Sequence, residues 1–409
     1  MDNPNEALEF GIVGAGPAGL SAAWELSRRG RPCVVFEQDA QVGGLSKTVN
    51  RNGYRFDIGG HRFFTKSPEV EALWHEALPA DFLRRSRRSR IYYRGKFFSY
   101  PLKPMNALFG LGLLTSLRVL LSFVRSKVFK KKPERSFEDW VTNRFGRALY
   151  RIFFKTYTEK VWGISCRELS ADWAAQRIRN LSLGRAVLKS LGIGRDKRDV
   201  ASLIEQFDYP KLGPGQMYEA MARTAVSRGA RIRLGCRVTR VKHHHHRVTA
   251  VEITGPEGRT SEVPVEHLVS TMPLSELVAA MEPAAPADVA DAARRLRYRS
   301  ILTVNFTLAV SEVLPDTWVY LHAPEVRAGR LQLYKNWSPF MVPDADTCSV
   351  GLEYFCFEDD EFWSAPESQL IDVARTDLRR LDLVDPSVIT DAFVIRYPKA
   401  YPMYEEGYA

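Results

Sequence analysis

The chain has 409 residues, of which 45% are hydrophobic and 26% are charged. This length and composition fit two or three folded domains and exclude an intrinsically disordered chain. The five cysteines are scattered without a Cys-x-x-Cys pair, so we predict neither a disulfide framework nor a metal site. The formal net charge of +10 suits an anionic partner, but no nucleic-acid-binding motif accompanies it and we predict no nucleic-acid partner.

The cysteine pattern and the first residues favour a cytoplasmic protein. Asp2, Glu6 and Glu9 precede the first predicted strand, where a secretory signal would have a basic segment and an apolar core. We therefore expect a reducing compartment, with membrane association as the alternative.

The segment that begins at residue 10 carries the most specific pattern. Residues 10–13 are apolar and run into Gly14-x-Gly16-x-x-Gly19, which is followed by a helical pattern. The first glycine allows a tight turn, the second lets the backbone approach a pyrophosphate, and the third lets the helix pack closely on its strand. The next strand pattern ends at Glu37, about 20 residues further on, where an acceptor for ribose hydroxyls belongs. We predict a dinucleotide site with the pyrophosphate at the helix N-terminus.

Two further glycine segments carry a resemblance. Gly43-Gly44 follows Glu37, and Gly59-Gly60-His61 comes later. This order resembles the flavoprotein superfamily that contains amine oxidases, protoporphyrinogen oxidase, phytoene desaturases and UDP-galactopyranose mutase. The resemblance implies FAD, rather than NAD alone, as the cofactor. The cofactor-binding residues that we predict are Gly14, Gly16, Gly19, Glu37, Gly43, Gly44, Gly60 and His61.

The FAD domain of this superfamily is discontinuous, and the sequence pattern shows an interruption. Helical patterns separate the first strands from alternating strand patterns at residues 231–241 and 247–253, which predict a hairpin with an exposed tip at His243–His246. Further alternating strands, at residues 300–309, 318–321, 330–337 and 348–354, predict a second sheet. The predicted fold class is α/β, with a discontinuous Rossmann-type FAD-binding domain (1–75 and 206–285), a helical insertion (76–205) and an antiparallel-sheet substrate domain (286–395). Residues 396–409 would begin a last segment of the FAD domain.

Two basic runs, at residues 84–90 and 125–132, flank an apolar segment at residues 105–124. A solvated surface is the simplest interpretation of each basic run. For the apolar segment we favour a buried helix. Peripheral membrane contact through residues 105–132 is an alternative, and a membrane span is the weakest interpretation because Arg118 interrupts the segment.

Several segments resemble UDP-galactopyranose mutase, especially its eukaryotic-type branch, and the resemblance spans nearly the whole chain. They are residues 59–64, 92–101, 137–140, 153–163, 171–177, 318–337 and 401–402. The resemblance implies that His61 lies beside the flavin and that Arg177 and Arg330 clamp a diphosphate, and we take these three as the catalytic residues. A planar guanidinium with paired donors suits a diphosphate. The substrate-binding residues implied are Phe64, Tyr100, Tyr157, Trp162, Arg177, Trp318, Tyr320, Arg330, Trp337 and Tyr401.

The resemblance implies an isomerase that interconverts UDP-galactopyranose and UDP-galactofuranose, or a related UDP-sugar, with reduced FAD as covalent nucleophile. NAD(P)H is a candidate reductant. One alternative is a FAD-dependent oxidoreductase of the amine oxidase, protoporphyrinogen oxidase or desaturase type. Family members continue beyond the point where this sequence ends, so we expect a fragment of a longer product. A truncated, non-catalytic nucleotide-sugar-binding protein is the third hypothesis. The sequence does not predict the oligomeric state.

Overall fold

The chain divides into two compact units in a computed structural model that describes residues 8–102, 104–172, 175 and 205–403. The first unit combines Met1–Arg84 with Asp208–Arg297, and the second combines Arg85–Phe207 with Tyr298–Ala409. The sequence separated a helical insertion from an antiparallel-sheet domain. In the structure most described residues of both segments belong to the second unit, whereas residues 76–84 and 286–297 belong to the first.

The strands follow one another along both units. In chain order they are β1 (Leu8–Val13), β2 (Cys33–Phe36), β3 (Thr48–Arg51), β4 (Tyr54–Asp57), β5 (Phe82–Ser86), β6 (Ser89–Tyr93), β7 (Lys96–Ser99), β8 (Gln206–Pro210), β9 (Arg231–Arg233), β10 (Arg237–His244), β11 (Arg247–Thr254), β12 (Thr260–Ser270), β13 (Met281–Glu282), β14 (Tyr298–Leu308), β15 (Trp318–Leu321), β16 (Arg330–Leu333), β17 (Cys348–Cys356) and β18 (Ile389–Pro402).

The helices lie between these strands. In chain order they are α1 (Pro17–Arg28), α2 (Pro68–Ala77), α3 (Pro104–Leu111), α4 (Leu113–Val128), α5 (Phe137–Phe145), α6 (Arg147–Tyr150), α7 (Thr156–Trp162), α8 (Gly215–Ser227), α9 (Leu274–Ala280), α10 (Ala287–Arg294), α11 (Tyr334–Trp337), α12 (Glu361–Ser364) and α13 (Glu367–Leu381).

The sheet of the first unit has the strand order β13-β10-β11-β12-β1-β2-β9. β1 pairs in parallel with both β2 and β12, and β2 pairs in parallel with β9. Ile12 and Val35 pack on one side with residues of α1 and α8, whereas Val13, Val34 and Phe36 pack on the other side. Strands buried on both faces read as continuous apolar runs, so the structure confirms the predicted α/β fold class.

The predicted hairpin is present as the antiparallel pair β10 and β11. Its turn contains His245 and His246, both with positive φ angles, and both side chains are exposed. β11 continues antiparallel to β12, which returns to the parallel part of the sheet beside β1.

The sheet of the second unit has the strand order β18-β14-β17-β16-β15-β6-β7. Its strands alternate, so Val319, Leu331 and Leu352 lie on an apolar face that packs with Leu370 and Leu378 of α13. β6 and β7 form the hairpin that the sequence predicted near residues 92–101, and β6 pairs with β15. This pairing joins the predicted insertion to the predicted substrate sheet. Residues 334–337, predicted as strand, form the short helix α11.

The apolar segment at residues 105–124 forms α3 and most of α4, and the prediction that it is a buried helix is wrong. In α4 the buried residues are Val119 and Ser126, while Leu113 and Leu114 are 89% and 85% exposed. Among the described residues, no helix combines the length and the apolar character that crossing a bilayer requires.

A buried carboxyl group in the first unit makes its stability depend on pH. Asp57 ends β4, is 2% exposed, and accepts hydrogen bonds from the hydroxyls of Thr48 and Tyr209. Burial raises its pKa from 3.8 to about 7, although both hydrogen bonds act in the opposite direction. Between these two pKa values the folded state holds a proton that the unfolded state has released, so stability falls as the pH rises.

We therefore expect the free energy of unfolding to decrease from about pH 5 to about pH 7, with a limiting slope near 1.4 kcal/mol per pH unit from this group. In Asp57→Asn this contribution disappears, and the profile measured by urea denaturation should flatten over that interval. Equal slopes in the two proteins would show that Asp57 is ionised in the folded state at pH 5.

Candidate functional site

The glycine turn after β1 is shaped by one close contact. A Cβ on Gly19 would lie 1.9 Å from the carbonyl oxygen of Gly14, so α1 approaches the turn as closely as only glycine permits. Gly14 has a φ of +96°, and its N–H donates to the carbonyl of Phe36 at 2.8 Å. This bond fixes the turn against the end of β2, where the predicted ribose acceptor lies.

The carboxylate of Glu37 lies beside the glycine turn. Its Oε2 accepts from the backbone N–H of Ala15 at 2.6 Å, and its Oε1 accepts from that of Asp39 at 2.8 Å. The side chain is buried. Each carboxylate oxygen has a second lone pair, so both oxygens can still accept a hydrogen bond from a ribose hydroxyl. The ribose role of Glu37 stays a prediction, and the geometry fits it.

The Gly43-Gly44 segment lies against the same turn. The N–H of Gly43 donates to the carbonyl of Ala15 at 2.8 Å, and the Cα of Gly44 is 3.8 Å from the place of a Cβ on Gly16. α1 begins after Gly16 with neither a capping side chain nor an acidic residue in its first turn. The free N–H groups and the dipole at this end favour negative charge. The described residues therefore fit the diphosphate and the ribose of a dinucleotide.

The loop between β4 and α2 contains the other predicted residues of the first unit. Gly60 is exposed, His61 is half-buried and Phe64 is 43% exposed. Phe63 anchors the loop, because its buried ring packs edge-on against Trp74 and Phe82. The predicted roles of His61 at the flavin and of Phe64 at the substrate remain predictions.

The second unit brings several predicted substrate residues onto one face of its sheet. Tyr320, Arg330 and Glu353 are direct neighbours across β15, β16 and β17. Trp318 and Gln332 form the next row, two residues along, and so point to the same side. This face lies opposite the apolar face covered by α13. It is the candidate substrate-binding site.

Arg330 is held from two directions. Its Nε donates to the hydroxyl of Tyr157 at 2.8 Å, and its Nη1 donates to the carboxylate of Glu353 at 3.0 Å. Burial alone would lower the pKa of Arg330, but Tyr157 and Glu353 raise it well above its ordinary value, so the guanidinium is charged. Its Nη2 makes neither of these two bonds, and this donor suits a phosphate oxygen.

Aromatic rings surround the arginine. The ring of Tyr320 lies 4.6 Å from that of Tyr100, 5.4 Å from that of Tyr157 and 6.0 Å from that of Trp318. The Arg87 guanidinium lies 4.8 Å from the centre of the Tyr100 ring. We call Tyr100, Tyr157, Trp318 and Tyr320 the aromatic wall.

Arg87 belongs to the basic run at residues 84–90, which we predicted to be a solvated surface. That prediction is wrong for much of the run. Arg85 donates to the carbonyl of Asn336 at 2.8 Å. Arg90 pairs with the buried carboxylate of Asp316, with an Nε–Oδ1 distance of 3.0 Å. Arg85 lies in β5 and Arg90 lies in β6, and both bind partners within the protein.

Three predicted substrate residues are buried, and Trp318 of the wall is one of them at 4% exposed. Trp337 is 1% exposed, its indole N–H donates to the carbonyl of Thr317 at 2.9 Å, and its ring stacks on Trp318 at 5.1 Å. It therefore packs behind Trp318, and its contact with substrate stays a prediction. Trp162 is 6% exposed within the core of the helical layer. Tyr401 is half-buried, and it helps to raise the pKa of Arg330.

Sequence reasoning missed the side chains that fix α7 and Tyr157. The Nζ of Lys160 donates to the carbonyls of Leu321, Ala323 and Ala328 at 2.7–3.1 Å. Burial lowers the pKa of Lys160 to about 8. The ring of His322 stacks on that of Tyr157 at 4.8 Å, and burial together with the charge of Lys160 lowers its pKa to about 3. His322 is therefore neutral, and its ring packs on Tyr157 as an uncharged aromatic side chain.

One sequence signal could have identified Glu353. It is an acidic residue in the apolar strand Cys348–Cys356, and it is fully buried. An acid at such a position needs a cation or several donors. Arg177, predicted as a catalytic and diphosphate-binding residue, lies outside the described residues.

The glycine turn yields a test that separates folding from cofactor binding. Gly16→Ala adds a methyl group that meets the protein only at ordinary contact distance, but it occupies the place where a pyrophosphate approaches the backbone. We expect an unchanged melting temperature and a loss of bound flavin, measured by absorbance after purification with added FAD. Gly19→Ala should lower the melting temperature as well, because of the contact with Gly14.

Gly255→Ala is the matched control, since its added Cβ would also lie 3.8 Å from its nearest neighbour. It should change neither property. Full flavin binding by Gly16→Ala would show that the pyrophosphate does not bind at this turn.

Comparison with known proteins supports these assignments at the level of fold and family. The sequence pattern of the family described as "Flavin containing amine oxidoreductase" matches residues 17–400. The crystal structure of a reduced UDP-galactopyranose mutase superposes with a TM-score of 0.82 at 22% identity and covers 98% of this chain and 85% of that one. This likeness confirms the fold.

Curated relatives match smaller parts. A putative flavin-containing monoamine oxidase of Mycobacterium tuberculosis is 27% identical over 268 residues, which are 62% of this chain and 56% of that protein. A probable UDP-galactopyranose mutase of Klebsiella pneumoniae is 27% identical over 220 residues, or 52% of each chain. The matches thus span about half the length of these relatives. The extent of the family match decides the assignment: the chain belongs to the flavin-containing amine oxidoreductase family, and FAD is the dinucleotide that its glycine turn and Glu37 would hold.

Proposed function

We propose that this protein is a FAD-dependent isomerase that interconverts the pyranose and furanose forms of UDP-galactose or a related UDP-sugar. The observation that carries the proposal is the charged guanidinium of Arg330, held by Tyr157 and Glu353 beside the aromatic wall. A nucleoside diphosphate needs both elements, because its diphosphate pairs with guanidinium groups and its base stacks on aromatic rings.

The charges around this face favour an anionic substrate. Arg87 and Arg330 lie near the wall, and Glu353 offsets one of these two positive charges. An amine substrate is itself a cation, so it would gain nothing from this surplus. The likeness in fold to a reduced UDP-galactopyranose mutase and the identity to a probable mutase support the same proposal.

The side chains of this unit would bind and orient the substrate. Arg330 would hold the diphosphate and stabilise the negative charge that grows on the leaving UDP. Tyr100 and Tyr320, which are half-buried, would orient the uracil and the sugar, and Trp318 would support the Tyr320 ring. Reduced FAD, when bound, supplies a nucleophile for the anomeric carbon. The proposed diphosphate contact of Arg177 would add a second guanidinium.

The direct test is a discontinuous assay of the purified chain with FAD, reduced with dithionite. UDP-galactofuranose is added, and the nucleotide sugars are separated by anion-exchange chromatography. We expect conversion to UDP-galactopyranose with reduced protein and none with oxidised protein. NAD(P)H in place of dithionite tests whether it acts as the reductant.

The matches to oxidases make a flavin oxidoreductase the competing hypothesis. A parallel assay therefore measures hydrogen peroxide from the oxidised protein with putrescine or benzylamine in air. Peroxide formation without sugar isomerisation would overturn the proposal. UDP binding without either activity would support a non-catalytic nucleotide-sugar-binding protein instead.

Arg330→Lys tests the diphosphate role without leaving Glu353 unpaired. Lysine keeps the charge but loses the planar arrangement of donors. We expect the Kd for UDP, measured by titration calorimetry, to rise about 10-fold or more, which corresponds to roughly 1.4 kcal/mol. Arg327→Lys is the control, because Arg327 is exposed and packs on Phe362. Equal affinities in the two variants would exclude Arg330 as the diphosphate ligand.

A further inference from the structure

We propose that the outward surface of α4 docks this protein on an anionic lipid bilayer. We call this surface the α4 face. Its residues share an apolar character and high exposure, and they are Leu113, Leu114, Leu117, Leu120, Leu121, Val124 and Val128. The proposal does not depend on the proposed catalytic function.

The spacing of these residues makes one continuous stripe. They follow one another at steps of one, three or four positions, so on a helix with 3.6 residues per turn they cover an arc of about 120°. Leu113 and Leu114 are 89% and 85% exposed, and every member of the α4 face is more than half exposed. An amphipathic helix of a globular protein normally turns such a stripe toward the core. Here the stripe points outward.

The opposite side of α4 already makes the contacts that fold the helical layer. Val119 and Ser126 are buried there. The hydroxyl of Ser122 accepts from the N–H of Ala148 at 3.0 Å, and a Cβ on Gly146 would come within 2.8 Å of the backbone at Phe123. Among the described residues α4 packs through this side, and the α4 face is exposed.

Neighbouring aromatic side chains enlarge the apolar surface. Phe109 of α3 is 78% exposed, and Phe129, directly after α4, is 69% exposed. Contiguous apolar patches larger than a few hundred Å² are uncommon on soluble proteins and mark interaction sites. Aromatic and leucine side chains are those that enter the boundary between headgroups and acyl chains.

Positive charge flanks the stripe. Arg118 and Arg125 lie along one side, Lys127 lies along the other, and Lys130 and Lys132 follow α4; all five are exposed. Lys131, which also follows α4, is paired with Asp139. The sequence has no acidic residue between Asp81 and Glu134. Burial, Lys130 and Arg144 lower the pKa of Lys127, as expected in a field of like charge. Each basic residue near an anionic surface contributes about 1 kcal/mol to binding.

Charge also argues against a second copy of the chain as the occupant. Two α4 faces in contact would bring their basic rims together, and like charges at an interface cost free energy. A bilayer with anionic headgroups supplies an apolar layer and negative charge at once. α4 has 16 residues, about 24 Å, which is too short for the roughly 30 Å hydrocarbon core. It would therefore lie in the plane of the interface.

The test is flotation of the whole chain with vesicles of phosphatidylglycerol and phosphatidylcholine, compared with vesicles of phosphatidylcholine alone. We expect at least tenfold more bound protein on the anionic vesicles at low salt, and a decrease as salt is added. Leu117→Glu combined with Leu121→Glu should reduce this binding at least tenfold. The melting temperature should stay unchanged, because both leucines are more than half exposed.

Leu274→Glu is the matched control, since Leu274 is 56% exposed and Leu117 is 55% exposed. Leu274 lies on α9 in the first unit. It should bind vesicles like the unaltered chain. Arg118→Glu with Arg125→Glu should reduce binding to anionic vesicles specifically.

Three results would overturn the proposal. They are an absence of vesicle binding by the unaltered chain, equal binding to both kinds of vesicle, and full binding by the double leucine variant. Sedimentation velocity adds a fourth. A dimer that the leucine variant dissociates, in a protein that does not bind vesicles, would assign the α4 face to a second copy.

Discussion

The buried carboxylate of Glu353 is the constraint on which the second unit's site depends. A charge without solvent needs partners, and Glu353 receives them from the adjacent strand, where Arg330 and Gln332 both donate to it. Gln332 in turn accepts from the indole of Trp337, and Arg330 donates to Tyr157. One acid in the sheet thereby fixes the arginine, the aromatic wall and the tryptophan behind it. Removing one member of such a buried pair costs about 3–5 kcal/mol.

The alternation of the strands separates stability from recognition. The apolar face of the sheet packs on α13 and forms a core, whereas the opposite face collects polar and aromatic residues that no core requires. The first unit makes a similar division, because its strands supply the apolar layers and its glycine turn supplies the backbone donors. The candidate cofactor site thus uses residues at strand ends, and the candidate substrate site uses residues on one face of a sheet. In both units other surfaces of the same strands form the apolar core.

Local patterns were sufficient to predict the parts that local chemistry determines. The glycine turn with Glu37, the hairpin of β10 and β11, and most strands of the second sheet follow from spacing and alternation. Glu353, Lys160 and His322 could not be assigned, because their partners are distant in sequence and only strand register brings them together. Hydrophobicity alone also gave a wrong prediction for α4. An apolar stripe shows that one side of a helix can be buried, but it does not show whether another part of the protein packs on that side. The pairing of β6 with β15 could not be predicted for a related reason, because the two strands are far apart along the chain.

The way in which Tyr157 is held has a consequence for ligand selectivity. Its ring is stacked on His322, its hydroxyl accepts from Arg330, and its helix is tied to the sheet through Lys160. These contacts order the arginine in the protein itself, so the proposed diphosphate binding would not incur the loss of side-chain entropy, up to about 2 kcal/mol, that a mobile arginine would suffer. A rigid donor cannot follow a ligand of different length. The fixed spacing between Arg330 and the aromatic wall would thus select ligands in which the anionic group and the stacked ring are a matching distance apart. Selection would then depend on ligand length as well as on charge.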